Sequence, residues 1–534
     1  MFVNIITDDT EVVAPVSPEA DDRVNHCGAH RVRNLKGTIG TKEKDIERAY
    51  LIFESCQRQQ AKEVGGRAIA TLRGPGNLQS ESRAPETRHV RRVSVACLVR
   101  GHVALLVMLS GLSPSAHAVP SFSRQTGLVC NVCHSNPPEL TAFGRKFKLE
   151  GYTLTDRKPD AVIEDEDLKI GKSPPISVML LLSGTATNKR VPDAQNWNVE
   201  FPQALSLFLA GELSSHLGGM VQATYAHQTD HFTLDNTDIR YANHTTLDST
   251  DVLYGLTLNN SPTVEDVWNG TPSWGYPWLS PDNAPSPSVR PLIAGGLAQD
   301  VAGLGVYTMW NDHLYVGFTL YCSEHAGGSQ PANGTDYAIN IHGVAPYWRL
   351  AWQQTWGLNY LEVGTYGIYV SSVPGGVTGI RDTYLDPAVD LQYERPLGID
   401  LLTLHTAYIH ERSNLDGTFA AGGAVASSHY LNTFRADVTY HFRSRYTFTL
   451  AGFSTTGSTD PILYAPAPVT GSLTGSPNST GFMGQFGYWP TQNIALSVAY
   501  TACMKFNGAS DNYDRSGRNA SANNSLYVAL WLNY

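Results

Sequence analysis

Five consecutive residues in this chain have the types and spacing of a metal-cofactor site, Cys130-Asn-Val-Cys133-His134. Two thiols three positions apart can add to the two vinyl groups of one porphyrin. The adjacent imidazole then lies beneath the iron as its proximal ligand, and C-x-x-C-H is accordingly the attachment motif of c-type haem. With 7 Cys and 17 His in 534 residues, chance supplies the pattern about 0.003 times per chain. A thioredoxin-like thiol pair is the main competitor, but it wants a βαβ context that the neighbouring sequence lacks. A zinc site wants a second ligand pair, and residues 119–175 hold no further Cys or His. The expected cofactor is one covalent haem c, carried by Cys130, Cys133 and His134.

The sixth iron ligand is not in the same segment. Met or His is usual there, yet residues 119–175 contain no Met and only His134. The distal position is open, filled by Lys, or supplied by the rest of the chain. Met179, Met220 and Met309 are the candidates, with simple packing as the alternative for each. So short a segment also cannot bury a porphyrin by itself. Both deficits require a second structure around the haem. Arg124, Arg145, Lys146 and Lys148 bracket the motif, either as partners for haem propionates or as a solvated basic face.

The elements before the motif read as an export signal. Arg88, Arg91, Arg92 and Arg100 precede the apolar run at 103–112, and Ala116-His-Ala118 follows, the order of a secretory signal peptide cut after Ala118. This gives residues 88–118 as the signal. Residues 1–87 are expected to be an over-extended gene start or a disordered leader. All 10 Trp, all but one of the 26 Tyr and all but two of the 17 Phe follow residue 118. That part holds 22 Lys+Arg against 35 Asp+Glu, and the chain as a whole carries −10, which disfavours nucleic-acid binding. The haem segment is expected over 119–160, an acidic linker over 161–175.

From 176 to 534 the pattern has period 2 between turn signals, the mark of strands. Phe434, Ala436, Val438, Tyr440 and Phe442 share one face, with Arg435, Asp437, Thr439 and His441 on the other. Leu526, Val528, Leu530, Leu532 and Tyr534 form one face of the last strand. Short connections near 214–218, 311–313, 396–398, 443–445 and 490–492 interleave with long ones at 259–294, 322–334, 371–381, 411–428, 457–479 and 507–523. Short turns at one rim and long loops at the other describe an outer-membrane antiparallel β-barrel, here of about sixteen strands, with the haem segment lodged in or at it. Trp310, Trp348, Trp352, Trp489 and Trp531 are expected in its aromatic girdles. Asp238, Arg240, Arg349, Glu362, Asp390, Glu394, Arg435, Asp437 and His441 would face inward, where charge needs water or a partner.

At this point the sequence resembles a known family. Val119-Pro-Ser-Phe-Ser-Arg-Gln-Thr-Gly127, the C-x-x-C-H, and Pro137-Pro-Glu-Leu-Thr-Ala-Phe-Gly-Arg-Lys-Phe-Lys-Leu-Glu-Gly-Tyr152 are similar to the fused monohaem cytochrome–porins of the bacterial outer membrane, whose best-known members oxidise iron. Tyr254-Gly-Leu-Thr-Leu-Asn-Asn260 and the Trp/Pro-rich loop after it fit the same family. The resemblance implies a haem held inside or at the mouth of a sixteen-stranded barrel, extracellular Fe²⁺ as electron donor, a periplasmic cytochrome or other carrier as acceptor, and, if catalytic, a ferrous iron:cytochrome oxidoreductase. It carries over no iron-binding residue.

Carboxylate and imidazole suit Fe²⁺, so Asp230, His231 and Asp235 on one loop and Glu324 and His325 on another are candidates beside a bland hydrated reading. Cys322 and Cys503 would either pair as a disulfide or remain free thiols. Competing functions are a passive porin with a haem plug or sensor, electron export to an outside acceptor, and a soluble cytochrome joined to a β-sandwich.

Overall fold

The computed structural model describes residues 120–154, 161–164, 169–171 and 174–534, apart from 193, 229, 271–279, 296, 298–299, 324–339, 375 and 377. The leader, the signal peptide, Glu324 and His325 therefore lie outside the described residues.

Period-2 sequence becomes one closed antiparallel barrel of sixteen strands, each hydrogen-bonded to its neighbours in sequence. They are β1 (Ile176–Thr187), β2 (Asn198–Ser214), β3 (Leu217–Ala226), β4 (His231–Leu247), β5 (Thr250–Asn259), β6 (Val301–Trp310), β7 (Leu314–Ser323), β8 (Ala345–Trp356), β9 (Asn359–Ser372), β10 (Asp382–Leu397), β11 (Asp400–Leu415), β12 (Ser428–Phe442), β13 (Tyr446–Gly457), β14 (Ser479–Thr491), β15 (Ile494–Lys505) and β16 (Ser525–Asn533). The ring closes where β16 pairs with β1, Leu530 opposite Leu182, and Tyr534 exchanges both backbone hydrogen bonds with Val178 at 2.8 Å. Closure removes every sheet edge. The linker contributes a small ribbon, Ala161–Glu164 antiparallel to Lys169–Gly171.

The two faces of the wall are chemically opposite. On β6 and β7, Leu304 faces Leu320, Val306 faces Phe318 and Trp310 faces Leu314, all exposed on the outside. The alternate positions, Tyr307, Met309, Tyr315 and Tyr321, are buried inside. Inward Gly303 makes room for one of these rings: a Cβ there would lie 2.3 Å from Tyr321 Cε1. A sandwich would bury its apolar faces and wet its polar ones. Here the apolar face is the exterior, which excludes the soluble-sandwich alternative.

The short connections expected from sequence are turns of two or three residues, at 215–216, 311–313, 398–399, 443–445 and 492–493, all at one rim, with further ones at 248–249 and 357–358. β1 starts and β16 ends at the same rim. At the other rim described parts of the longer connections pack on one another, Leu473 N–H on Tyr513 O and Val469 N–H on Asp514 among them. Asp460 is one of the carboxylates that tie them together. Its oxygens accept from the backbone N–H groups of Val425, Ile462 and Leu463 and lie 3.0 Å from His429 Nε2. These donors hold its pKa below the ordinary Asp value. A depressed folded-state pKa means that the clasp is fully present above about pH 4 and is lost as pH falls through the lowered value. Amide exchange at residues 425 and 462–463 should accelerate below pH 4 in the native chain. In Asp460→Asn it should already be fast at pH 7.

Among the described residues two inserts enter the lumen. One is the N-terminal segment, with α1 (Pro120–Thr126), α2 (Cys130–Cys133) and α3 (Ala142–Leu149). The other is the β5–β6 connection, which turns inward at α4 (Pro262–Glu265) and buries Val267, Trp268, Ile293 and Leu297. The long loop expected on the outside is in part an internal element. The inward charges find protein partners on these inserts and on each other. Arg349 pairs with Asp390 at 2.6 Å, Glu362 at 3.0 Å and Asp266 at 3.5 Å. Arg240 pairs with Asp238 at 2.8 Å and donates to Glu265 O at 2.7 Å. Buried charge persists only when paired in this way.

Candidate functional site

The motif cysteines stand on a single helical turn. His134 N–H closes the turn on Cys130 O at 3.0 Å, so both thiols and the imidazole are presented together. Thr141 ties this turn to α3. Its Oγ1 caps the helix by accepting from Gly144 N at 3.1 Å and donates to Val132 O at 2.5 Å, while its N–H donates to Cys133 O at 3.0 Å. Gly144 then packs on the motif itself, since a Cβ there would lie 2.1 Å from Cys133 O. Gly144→Ala should push α3 off the cysteine turn at a cost of about 1–3 kcal/mol. Limited proteolysis within 128–150 should report it as faster cleavage than in the parent chain.

The segment has a small core of its own. Phe122 stacks on Tyr152 at 5.3 Å, and Phe147 meets both edge-on. The rest of its anchoring comes from the barrel. Cys130 N–H donates to Gln492 Oε1 in a short turn at 3.0 Å, and Gln125 Nε2 donates to Ala210 O at 3.0 Å. Tyr152 OH donates to Asp238 at 2.6 Å, Tyr307 OH to Leu149 O at 2.7 Å, and Arg145 pairs with Glu394 at 2.6 Å. These contacts reach walls on opposite sides of the ring, so the segment spans the lumen at the short-turn rim.

Between segment and wall lies a cavity of about 510 Å³. Pockets of roughly 300–1,000 Å³ bury ligands of cofactor size. Cys130, Cys133 and His134 line it from the segment; Met179, Phe208, Met220, Trp489 and Trp531 line it from the barrel. Met179 and Met220 are thus brought to the motif. Met309 faces inward as expected but packs in a separate cluster with Leu149, Trp268 and Tyr315, and it does not line the cavity. Trp489 and Trp531 also differ from expectation: they turn into the cavity and meet at 5.6 Å, whereas Trp310 and Trp352 do stand exposed on the outside.

The donor set fits a haem. His134 Nδ1 lies 3.2 Å from Glu139 O. A carbonyl can only accept, so the proton is on Nδ1. Burial also lowers the imidazole pKa and keeps the ring neutral, which leaves the Nε2 lone pair for a metal. Burial pushes the Cys130 thiol up to about 12 and Cys133 up to about 11. Both cysteines are free. Protonated thiols are the opposite of the depressed thiolate a thioredoxin-like pair needs. Among the described residues no three-donor metal cluster includes them. Cations at the rim suit propionates, but the set is mostly not the expected one. Arg124 donates to Ile176 O, Arg145 pairs with Glu394, and Lys146 reaches Glu150 at 3.8 Å. Of the four only Lys148 lines the cavity, where Arg443 and Arg445 of the β12–β13 turn join it.

Other expected groups do not assemble. Asp230 accepts from Tyr225 OH at 2.7 Å and Asp235 from Thr224 Oγ1 at 2.8 Å, and with His231 they form no cluster of ligand atoms. Cys322 on β7 and Cys503 on β15 are free thiols on strands separated around the ring, so the disulfide is absent. One cluster escaped sequence reasoning, Glu139 with His405 and Asp437.

No protein-family model matches the chain, and a search of curated proteins finds no match. Among solved structures it is similar to Salmonella typhi OmpF in complex with daunomycin, at 12% identity, TM-score 0.42, over 67% of this chain and 97% of that one. It is also similar to OmpT, an outer membrane protein of Vibrio cholerae, at 10% identity and TM-score 0.38 over 70% and 100%. A third is the outer membrane channel DcaP of Acinetobacter baumannii, at 11% identity and TM-score 0.40 over 67% and 96%.

Proposed function

We propose that this chain is an outer-membrane electron-transfer protein: a porin-like barrel, its apolar exterior in contact with lipid, holding one haem c at the periplasmic rim and linking an extracellular electron donor to periplasmic carriers. One observation carries the reading. The three motif side chains and two methionine thioethers line a single apolar cavity at the short-turn rim, which in outer-membrane barrels is the periplasmic one. Bound there, a c-type haem supplies a one-electron iron couple. The chain's own contribution is to hold and insulate. Cys130 and Cys133 would tether the ring, His134 ligate the iron, Met179 or Met220 provide the sixth ligand, and Arg443, Arg445 and Lys148 face the propionates. Phe208, Trp489 and Trp531 exclude water and lipid. An apolar layer ~30 Å thick otherwise separates outside donors from periplasmic carriers.

Ferrous iron is the donor the sequence resemblance implies. Adding Fe²⁺ to the oxidised protein in a stopped-flow cell should produce the reduced haem spectrum. No reduction at any pH tested would remove the iron reading while leaving other donors in place.

A passive channel is the second reading, favoured by barrel size, since sixteen to eighteen strands usually leave an aqueous pore. The two inserts oppose it. Lys148 donates to Val264 O, Trp268 Nε1 donates to Tyr360 OH at 2.8 Å, and Leu292 and Ile293 N–H groups donate to Glu411 and Asp386 at 2.7 and 2.8 Å. In planar bilayers the native chain should stay near background conductance. A steady conductance of open-porin size would favour the channel.

A further inference from the structure

We propose that Glu139, His405 and Asp437 form a binding site for one divalent transition-metal ion, of the class of Zn²⁺ or Fe²⁺, where the inserted segment meets the barrel wall. The three donors come from three separate elements: the α2–α3 loop, β11 and β12. Their ligand atoms all lie within 4.8 Å of one another. His405 Nδ1 is 3.2 Å from Asp437 Oδ2 and 3.8 Å from Glu139 Oε1. Ligands about 2.0–2.2 Å from a tetrahedral ion are separated by roughly 3.3–3.6 Å, so an ion fits with little movement. One imidazole and two carboxylates are the ligand chemistry of borderline divalent metals.

A second observation points the same way. Gln392 stands directly opposite His405 on the neighbouring strand and is buried, and its Oε1 has no hydrogen-bond partner. Its Nε2 is fixed on Glu394 Oε1 at 2.8 Å, which holds the amide in place. An ion pair between His405 and the two carboxylates leaves that oxygen unexplained, whereas a cation gives it a fourth ligand position. The outer support is also present: Ser135 Oγ donates to Glu139 Oε2 at 3.1 Å. The neighbouring guanidinium, Arg145, is engaged by Glu394 at 2.6 Å. The site uses protein atoms only and does not depend on the haem reading. Its consequence would be mechanical as well as electrostatic, because Glu139 also offers its carbonyl to His134, and a cation on its side chain would pin the motif loop to β11 and β12.

The test is Zn²⁺ titration of the detergent-solubilised full chain against a chromogenic chelator. One equivalent should bind. Asp437→Asn and His405→Gln should each weaken it about 10-fold or more, as losing a ligand or its support does. Glu139→Gln tests the segment side without altering the wall, and Asp230→Asn should change nothing. Heat-modifiable gel migration verifies that each variant keeps its barrel, and covalent haem is measured in parallel so that loss of one property is distinguished from loss of the other. No Zn²⁺ bound by the native chain, or binding that none of the three site variants weakens, would overturn the proposal.

Discussion

Replacing Cys130 and Cys133 together by alanine should abolish covalent haem while leaving the barrel folded. The cysteine turn is anchored through backbone groups, Cys130 N–H on Gln492 and Thr141 N–H on Cys133 O, and neither needs a thiol. The segment is further held by Tyr152 on Asp238 and Arg145 on Glu394. The double variant should therefore retain heat-modifiable migration and lose all haem stain after denaturation. His134→Ala should behave differently. It keeps both thioether positions, and its spectrum should show loss of the proximal ligand rather than loss of colour. A double variant that still carried denaturation-resistant haem would place attachment elsewhere. Failure of both variants to form a barrel would mean the segment is a folding element first.

The second large effect concerns the sixth ligand. Met179→Leu and Met220→Leu remove the two thioethers that line the cavity; Met309→Leu removes one that does not. Methionine ligation raises a haem potential, and axial ligands together span a range of about 0.8 V. One of the first two substitutions should lower the midpoint potential on the order of 0.1 V. Met309→Leu should leave it unchanged, since Leu for Met conserves volume in that cluster. His441 lines the same cavity, with Nε2 3.2 Å from Thr403 Oγ1. If neither methionine matters and His441→Ala shifts the potential, the distal ligand is the histidine.

The barrel and the motif were legible in the sequence because each is written in short-range spacing. Alternation over ten residues fixes which side chains share a face, and it placed Arg435, Asp437 and His441 inward and Leu526 to Leu532 outward, as found. The same parity put Trp531 on the inward side with Tyr527 and Ala529. Its position near a strand end suggested a girdle instead, and parity was the better guide. What alternation cannot show is which inward residues meet across the lumen. Met309 shares its parity with Met179, but curvature carries it to another wall. The β5–β6 connection has no period and reads as an external loop. It folds inward because partners far along the chain receive it: Glu411 for Leu292, Asp386 for Ile293, Tyr360 for Trp268. The same distance hid the Glu139–His405–Asp437 cluster, although His405 and Asp437 are register partners on adjacent strands.

Covalent haem per polypeptide, measured on the mature protein extracted from outer membranes of cells with working cytochrome maturation, bears most directly on the central claim. One haem per chain, still attached after denaturation, is the expected result. A colourless, fully folded barrel from the same cells would contradict it.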